Sequence, residues 1–384
     1  MRFHILVNPF VPSCGSGKYN CDAFNIYARR LAIMLSSDHT VFFYGTAEDT
    51  FDPCHRINHV QIVKEEEYKD LSVNRGVYLC HTDRDEIKTK KSEISKKYNL
   101  GSTICVEQNG QYGDFVLYCY THNTDLQANT NFIHVAPCHM GGTYIYAPYT
   151  IFCSSVWAHW MLAKLHMTTG YYPDIESWGI APPIFDKKEF LYSADKNSDV
   201  LYLARIQACK GILTFIQLAK LFPTRNFLIV GDIIDAPDGS VAPNDQIYIQ
   251  DTNQLVSITK NVKILGYQNT EQRKKLLSQV SCLVQASPYP EPFGFNIVEA
   301  YLSGTPVITT DFGTFTETVL EGITGFRCRT EEEFCVALKS LDTINPIRCY
   351  QEGMKYMARC HKAQYEKLFS MFANHWRLKQ PQNK

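Results

Sequence analysis

Residues 287–315 read SPYPEPFGFNIVEAYLSGTPVITTDFGTF and join a strand pattern to a helix pattern. The apolar run SCLVQAS leads into a loop rich in proline and glycine, and Gly304 and Pro306 close the helical stretch that follows. Gly294 lets the backbone approach a ligand, and the amides after it point outward at the start of a helix. A helix start of this kind attracts phosphate or another electron-rich group. The segment predicts a strand, a turn and a helix that together offer an anion site.

Short apolar runs alternate with helix-length amphipathic segments along the rest of the chain, which is typical of parallel sheets covered by helices. The first half has strand patterns at RFHILVNPF, HTVFFYG, VYLCHT, FVLYCY and FIHVAP, and a helix pattern at NCDAFNIYARRLAIML. A polar, proline-containing stretch at residues 178–199 interrupts this alternation. The cycle then restarts with DVLYLARI, GILTFIQLAKLF, NFLIVGD, VKILGY, EQRKKLLSQ and SCLVQAS. The sequence predicts an α/β protein with two Rossmann-like, doubly wound parallel sheets.

Composition narrows the class of protein. The 384 residues carry 38 basic and 39 acidic side chains, so no global field recruits nucleic acid. The basic cluster KTKKSEISKK at residues 88–97 favours a solvated helix face and leaves a peripheral membrane contact open. None of the 14 cysteines forms a C-x-x-C pair, which favours reduced thiols over zinc or disulfides. With no apolar stretch long enough to span a bilayer, we expect a cytoplasmic protein without a transmembrane segment.

Two glutamates bracket the turn at Gly294. Glu291 precedes the helix pattern and Glu299 lies just over one turn inside it, so both can face one ligand. Carboxylates accept hydrogen bonds from vicinal hydroxyls, which makes a ribose and a second sugar sensible ligands. A helix-capping Glu291 and a solvated Glu299 are the alternative for two such residues taken alone.

Two cations favour the ligand interpretation. Arg205 and Lys210 follow the first strand pattern of the second half, in the segment LYLARIQACKGI. Ligands of open α/β sheets bind at the carboxyl ends of strands. Two positive charges at such an edge can neutralise a diphosphate as it becomes a leaving group.

Together these segments resemble a known family. Glu291-Pro-Phe-Gly, Glu299-Ala and GTPVI resemble the E-x7-E signature of family-four retaining glycosyltransferases, which have the GT-B fold. Arg205, Lys210 and Gly211 resemble that family's diphosphate-gripping segment, although Ala204 replaces its usual glycine. The resemblance is specific over residues 198–340 and weaker in the first half. It implies two Rossmann-like domains facing a cleft, with C-terminal helices.

The domain boundaries follow from the interrupted alternation and the resemblance. We expect an acceptor-side domain at residues 1–185 and a nucleotide-sugar donor domain at residues 186–360. A C-terminal helix at residues 361–384 is expected to pack back toward the N-terminal domain.

The resemblance also implies roles for individual residues. Glu291 would contact the transferred sugar and Glu299 the donor ribose, with Arg205 and Lys210 on the diphosphate. The remaining donor contacts would be largely through the backbone. Two of them, Gly15 and Gly17, lie in a glycine-rich loop of the first domain. The others are Gly231, Gly266, Tyr267, Phe293, Gly294 and Phe295.

A first-domain histidine is the least defined part of this prediction. Family members often place a histidine near the reacting carbon, and FIHVAPCHMGG offers His134 and His139. We interpret His134 as a core residue and take His139 as the candidate catalytic side chain. The triplet Asp83-Arg84-Asp85 resembles a metal-nucleotide signature of another transferase fold, but one short cluster is weak evidence, and no metal site is predicted.

The expected activity is metal-independent, retaining sugar transfer from a UDP- or GDP-sugar co-substrate, without another cofactor. The acceptor would be a hydroxyl of a glycan, glycoconjugate or lipid-linked saccharide. Two alternatives stay open: another GT-B reaction, such as nucleotide-sugar epimerisation or phosphorolysis, and a nucleotide-sugar-binding protein without turnover. The oligomeric state is not predicted.

Overall fold

The computed structural model describes residues 1–10, 23–47, 49–64, 66–67, 84–120, 122–140, 144–231 and 245–381. Gly15, Gly17, Asp83 and the predicted strand VYLCHT lie outside them. The chain divides into two compact units, of which the first comprises Met1–Ser72, Lys88–Phe185 and Met357–Lys384. The second unit centres on Asp186–Tyr356.

The first unit contains a parallel sheet of seven strands in the order β3-β2-β1-β4-β5-β6-β7. The strands are β1 (Arg2–Leu6), β2 (Thr40–Thr46), β3 (Ile57–Val63), β4 (Phe115–Tyr118), β5 (Ile133–His139), β6 (Tyr149–Phe152) and β7 (Trp178–Ile180). Helices in the same stretch of chain are α1 (Ala23–Ser36), α2 (Arg84–Asn109), α3 (Thr124–Gln127) and α4 (Ser155–Thr169). The inner strands β4, β5 and β6 are buried along their whole length, which explains their nearly continuous apolar sequences.

A six-stranded parallel sheet in the order β12-β9-β8-β13-β14-β15 forms the centre of the second unit. Its strands are β8 (Val200–Leu203), β9 (Phe227–Val230), β12 (Val262–Gly266), β13 (Cys282–Gln285), β14 (Val307–Thr310) and β15 (Gly325–Cys328), and a separate antiparallel pair consists of β10 (Gln246–Ile249) and β11 (Gln254–Ser257). The helices are α5 (Ile212–Leu221), α6 (Thr270–Gln279), α7 (Phe295–Leu302), α8 (Phe315–Thr318), α9 (Glu331–Lys339) and α10 (Pro346–Gly353).

Apolar side chains cover both faces of this second sheet. Along β8, Val200 and Tyr202 belong to one core cluster and Leu201 to the other, as the alternation of side chains along a strand requires. Because both faces are buried, polar side chains can reach a ligand only from the strand ends and the loops beyond them.

The last helix, α11 (Ala358–Lys379), belongs to the first unit. It buries Tyr365, Phe369 and Phe372. The Tyr365 hydroxyl donates to the carbonyl of Pro182 at 3.0 Å, and the Tyr27 hydroxyl of α1 donates to that of Tyr365 at 3.1 Å. An aromatic stripe therefore fixes this helix against the first unit.

The predicted α/β class with two parallel sheets is confirmed, whereas several observed strands were not predicted. They are β3, β6, β7, β14, β15 and the β10–β11 hairpin. Strand β3 has the sequence INHVQIV, whose polar and largely exposed residues are typical of a sheet edge and weaken the strand pattern. The hairpin of β10 and β11 lies between two predicted strands and exposes Gln254, Leu255 and Ser257. Polar edge strands of this kind are hard to separate from loops by sequence alone.

Candidate functional site

The loop between β13 and α7 carries the predicted strand-turn-helix passage. Gly294 caps α7 with a φ of 83°, in the left-handed region that favours glycine. A Cβ atom added at Gly294 would lie 3.1 Å from side-chain carbons of Ile297 and Phe315. Both the backbone angle and the crowding therefore require a glycine at the start of the helix.

Glu291 lies inside this loop with only 6% of its surface exposed. Three donors converge on its Oε1 atom: Lys210 Nζ at 2.6 Å, Ser287 Oγ at 3.0 Å and Gln285 Nε2 at 3.2 Å. No described residue donates to the other oxygen, Oε2. A carboxylate fixed through one oxygen can offer its second oxygen to a ligand hydroxyl.

Lys210 comes from a short turn after β8. Its side chain is 13% exposed, and its ammonium lies 4.9 Å from the centre of the Tyr289 ring. The next residue, Gly211, has a φ of 83°, and a Cβ there would come within 2.3 Å of the carbonyl oxygen of Ala286. Close backbone contact between this turn and the β13 loop therefore brings Lys210 to Glu291.

A carboxylate from the β10–β11 hairpin holds the same turn. Asp251 accepts hydrogen bonds from the backbone N–H groups of Ala208, at 2.7 Å, and Cys209, at 3.0 Å. Partial burial by itself would raise the pKa of Asp251, but these two hydrogen bonds outweigh it and lower the pKa below its usual value. The hairpin thus anchors the Lys210 turn, a role that its polar sequence did not indicate.

Arg205 occupies the start of the same connection and is exposed. Its guanidinium forms no hydrogen bond or ion pair with any residue that the structure describes. A cation in this position is available to a phosphate group.

The second glutamate, Glu299, lies on α7 with 8% of its surface exposed. Its Oε1 atom pairs with the guanidinium of Arg273 on α6 at 3.3 Å. The Arg273 Nε atom is buried and has no hydrogen-bond partner among the described residues. Sequence reasoning missed Arg273, because a basic residue in EQRKKLLSQ is typical of a solvated helix face.

The predicted backbone positions cluster at neighbouring strand ends. The N–H of Gly231, after β9, donates to the carbonyl of Gly266, at the end of β12, at 3.2 Å. A Cβ at Gly231 would lie 2.1 Å from the carbonyl oxygen of Ala204, after β8. Tyr267 follows Gly266 and is half-buried. Strands β8, β9 and β12 therefore end side by side with their backbones in close contact.

The two phenylalanines around Gly294 make aromatic contacts. Phe293 is buried, and its ring centre lies 5.7 Å from that of Phe295 and 5.6 Å from that of Tyr356. These contacts hold both rings against other aromatic side chains. The segment can therefore contact a ligand mainly through its backbone.

The histidines of the first unit have complete sets of partners. His139 is fully buried; its Nδ1 accepts from the indole N–H of Trp157 at 3.0 Å, so Nε2 donates to the carbonyl of Tyr144, also at 3.0 Å. His134 donates from Nε2 to Asn129 and accepts from the Tyr118 hydroxyl, each at 2.9 Å. Burial lowers the pKa of both rings, which are therefore neutral at pH 7. Neither ring has a nitrogen to spare in this arrangement, so a catalytic role for His139 stays a prediction without geometric support.

Several buried polar atoms of the second unit have no hydrogen-bond partner among the described residues. Besides Thr259 Oγ1, Arg273 Nε and Arg327 Nε, they include Gln285 Oε1 at the end of β13, Thr309 Oγ1 on β14 and Thr314 Oγ1 before α8. The segment between the two threonines packs on the Glu291 loop, since a Cβ at Gly313 would lie 3.2 Å from Pro290 Cα. Buried polar groups are normally paired, so unpaired atoms around one loop indicate a place where a polar ligand can bind.

The described residues contain neither a metal-binding cluster nor a membrane-spanning helix. No group of three or more His, Cys, Asp or Glu side chains in that part of the chain is placed to hold a metal ion. Among its helices, none is both long and apolar enough to cross a membrane.

Comparison with solved structures identifies the fold. AviGT4, a glycosyltransferase of avilamycin A biosynthesis, superposes with a TM-score of 0.62, at 15% identity, over 97% of this chain and 98% of its own. Anabaena Alr3699/HepE, crystallised with UDP-glucose, gives a TM-score of 0.60, at 14% identity, over 96% of this chain and 99% of its own. The two parallel sheets are those of the GT-B fold.

Sequence comparison gives a partial family match. Residues 184–341 match the family model described as Glycosyl transferases group 1. It is 30% identical to the D-inositol 3-phosphate glycosyltransferase of Nocardia farcinica over 137 residues, which are 35% of this chain and 30% of that protein. It is 28% identical to an uncharacterized glycosyltransferase of Methanocaldococcus jannaschii over 136 residues, 34% of this chain and 32% of the relative. The chain thus matches about a third of the length of these curated relatives.

Proposed function

We propose that the protein transfers a sugar from a nucleotide-diphosphate sugar to an acceptor hydroxyl with retention of anomeric configuration. The observation that carries the proposal is the buried Glu291 carboxylate, fixed by Lys210, Ser287 and Gln285 beside a helix start. The match of residues 184–341 to glycosyl transferases group 1 supports the reaction class. Retention rests on the resemblance of the Glu291–Glu299 segment to retaining enzymes.

In this proposal the donor diphosphate binds at the end of β8. Arg205 is exposed and Lys210 pairs with Glu291 in the loop that leads into α7, so we expect two cations and the helix dipole to favour the same anion. Lys210 exchanges part of its contact with Glu291 for a phosphate oxygen. The complex of the Anabaena protein with UDP-glucose makes UDP-sugars the first donors to test, with GDP-sugars second.

The two glutamates address the sugars of the donor. Glu291 Oε2 accepts a hydrogen bond from a hydroxyl of the transferred sugar, while Oε1 keeps its protein donors. Glu299 accepts from the ribose hydroxyls, and its pairing with Arg273 limits the carboxylate to one orientation. Carboxylates held in this way discriminate by hydroxyl position, because an unmatched sugar leaves a buried acceptor unpaired.

The reaction breaks the bond between the anomeric carbon and the diphosphate oxygen. Positive charge develops on the sugar as the diphosphate leaves, and Arg205 and Lys210 neutralise the growing negative charge without a metal ion. The acceptor oxygen attacks from the face that the phosphate vacates, and its proton passes to a phosphate oxygen of the leaving nucleoside diphosphate. The acceptor is a hydroxyl of a glycan, glycoconjugate or lipid-linked saccharide.

Nucleotide release tests this function. The protein is incubated with UDP- and GDP-hexoses and a panel of saccharide acceptors, and the anomer of the product is assigned by NMR. Lys210→Ala is compared with Lys220→Ala, which changes an exposed lysine in the last turn of α5. We expect Lys210→Ala to lower turnover by about a hundredfold or more, as the loss of a preorganised charge does elsewhere, and Lys220→Ala to keep it.

The outcomes separate the alternatives. Release at the rate of buffer alone for every donor and acceptor overturns the enzyme assignment. A product with inverted configuration overturns retention alone, and conversion of the donor sugar without transfer points to epimerisation. Equal activity of the Lys210→Ala and Lys220→Ala variants contradicts the assigned diphosphate site.

A further inference from the structure

We propose that the first unit carries a separate saccharide-binding site, the tyrosine pocket, lined by Tyr144, Tyr146, Tyr149 and Tyr171 with polar side chains between them. Its volume of about 640 Å³ lies within the usual range for small-molecule sites. None of the second-unit residues assigned to the donor lines this pocket. The proposal goes beyond sugar transfer, because it concerns binding of a saccharide whether or not transfer occurs.

Two of the four tyrosines present their rings to solvent. Tyr144 is 58% exposed and Tyr171 is 55% exposed, whereas Tyr149 is only 5% exposed and forms part of the floor. Large aromatic side chains lose hydrophobic stabilisation when they stay in water, and exposed aromatics grouped around a concavity indicate a binding surface. The flat faces of sugar rings carry C–H groups that pack well on aromatic rings.

The polar side chains between the tyrosines form a fixed array. His375 Nδ1 lies 3.2 Å from the Tyr149 hydroxyl, and its Nε2 lies 3.4 Å from a carboxylate oxygen of Asp174. Asp174 also pairs with the ammonium of Lys379, while the Gln127 amide donates to the carbonyl of Tyr146 at 2.8 Å. Carboxylate, ammonium and amide groups offer both donors and acceptors to a ring of hydroxyls.

The charges of this array favour a neutral ligand. Asp174 and Lys379 neutralise each other, and each keeps more than half of its side chain exposed. An anionic ligand would have to compete with Asp174 for Lys379, and a cationic one would have to compete with Lys379 for Asp174. A neutral oligosaccharide can hydrogen-bond to both partners without separating them.

The location of the tyrosine pocket sets it apart from the usual ligand edge. Tyr149 is the first residue of β6, and Asp174 and Ser177 come just before β7, so this side of the pocket lies at the amino ends of these strands. Ligands of open α/β sheets usually bind beyond the carboxyl ends. A site here would hold a part of a glycan that does not react.

Binding measurements on the intact chain test the proposal. Maltotriose, cellotriose, chitotriose and mannotriose are titrated by calorimetry into the wild-type protein and into Tyr144→Ala and Tyr171→Ala, whose exposed rings can be removed without opening a core. Tyr172→Ala is the matched control, because this neighbouring ring is 71% exposed and does not line the pocket. We expect at least one trisaccharide to bind, with a dissociation constant raised about tenfold in the two pocket variants and unchanged in the control.

Two outcomes of these titrations would contradict the proposed pocket. The site is refuted if no trisaccharide binds below about 10 mM, or if both pocket variants bind as the wild type does. Glu291→Gln separates this proposal from the donor site: binding retained in that variant supports an independent pocket, and binding lost places the saccharide at the donor edge instead. Absence of transfer activity in the wild-type protein, with trisaccharide binding intact, would count against the proposed function alone.

Discussion

Buried polar side chains on the inner strands differ between the two units in whether all of their hydrogen-bonding atoms have partners. In the first unit, His134 and His139 of β5 use both ring nitrogens in hydrogen bonds to protein groups. In the second unit, Gln285 of β13 and Thr309 of β14 each leave a buried oxygen without a partner among the described residues. Unpaired buried oxygens cost stability and are expected where a ligand completes the network.

This difference separates polar side chains that are fully bonded within the protein from polar side chains that keep an atom available to a ligand. A histidine at the end of a strand in a glycosyltransferase-like fold invites a catalytic interpretation, yet His139 is neutral and fully bonded. Glu291 is equally buried but keeps Oε2 clear of described donors. In the proposed function, unused hydrogen-bonding atoms therefore mark the site more clearly than residue type does.

The largest expected effect comes from neutralising Glu291. Glu291→Gln keeps the size of the side chain but replaces the carboxylate that pairs with Lys210 and that we propose contacts the transferred sugar. We expect turnover to fall by about 100- to 1,000-fold, comparable to the loss of one preorganised group that stabilises the transition state. Steady-state nucleotide release is the measurement.

Glu271→Gln is the matched control, since the Glu271 side chain on α6 is 81% exposed. If Glu291→Gln retains more than about a third of wild-type turnover, Glu291 is not functional. The unused Oε2 atom of Glu291 would then not mark a functional site.

How far the sequence predicts this site depends on where each residue comes from. Glu291, Gly294 and Lys210 lie in segments whose glycines and strand context are visible in the sequence, so their convergence at neighbouring strand ends could be predicted. Arg273, Asp251 and Gln285 arrive from a helix face, a hairpin and a strand end with no local signature. Their roles depend on tertiary contacts, such as the two amide hydrogen bonds to Asp251, that no single segment encodes.

The same reasoning applies to the fold. Buried strands such as β4 and β13 were predicted because both of their faces are apolar. The edge strand β3 and the β10–β11 hairpin were missed, because exposed strands carry the polar residues of loops. Burial alone does not decide which strands are predicted, because the buried four-residue strands β6 and β14 were missed as well.

The second prediction concerns His139, whose two ring nitrogens both bond to protein groups. His139→Ala removes a buried ring with two hydrogen bonds and leaves the Trp157 indole N–H unpaired. We expect the free energy of unfolding to fall by about 2–3 kcal/mol, with turnover per folded molecule changed less than threefold. Urea denaturation and activity, each at matched folded fraction, measure the two effects. A large loss of turnover at unchanged stability would restore His139 as a catalytic residue.

The third prediction uses acid to probe the bonded network of the first unit. Burial alone would raise the pKa of Asp114, but hydrogen bonds from His4, the Gln111 N–H and Arg2 outweigh it and lower the pKa. Because the folded pKa lies below the unfolded value of about 3.9, this carboxylate stabilises the fold above that pH. The contribution is lost as the pH falls through the folded pKa.

Asp114→Asn is therefore expected to lower the free energy of unfolding by about 1–2 kcal/mol at pH 7 and to flatten its decline toward pH 3. Chemical denaturation over this pH range, with the exposed Asp342→Asn as control, gives the comparison. An acid-dependent decline as steep as that of the wild type would show that Asp114 is not part of a stabilising network.

The smallest effect tests the contrast between bonded and unbonded hydroxyls directly. Thr309 and Thr150 are both buried strand threonines, but Thr150 Oγ1 donates to the carbonyl of Ala147 at 3.3 Å, whereas Thr309 Oγ1 has no partner among the described residues. Replacing each by the isosteric valine should cost about 1 kcal/mol of stability at Thr150 and nothing, or a slight gain, at Thr309. The Thr309→Val variant should in addition bind the UDP-sugar several-fold more weakly if its hydroxyl meets the donor. Thermal unfolding measures the change in stability, and titration with the donor measures the change in affinity. Equal destabilisation by the two valines would mean that the unbonded oxygens of the second unit are not reserved for a ligand.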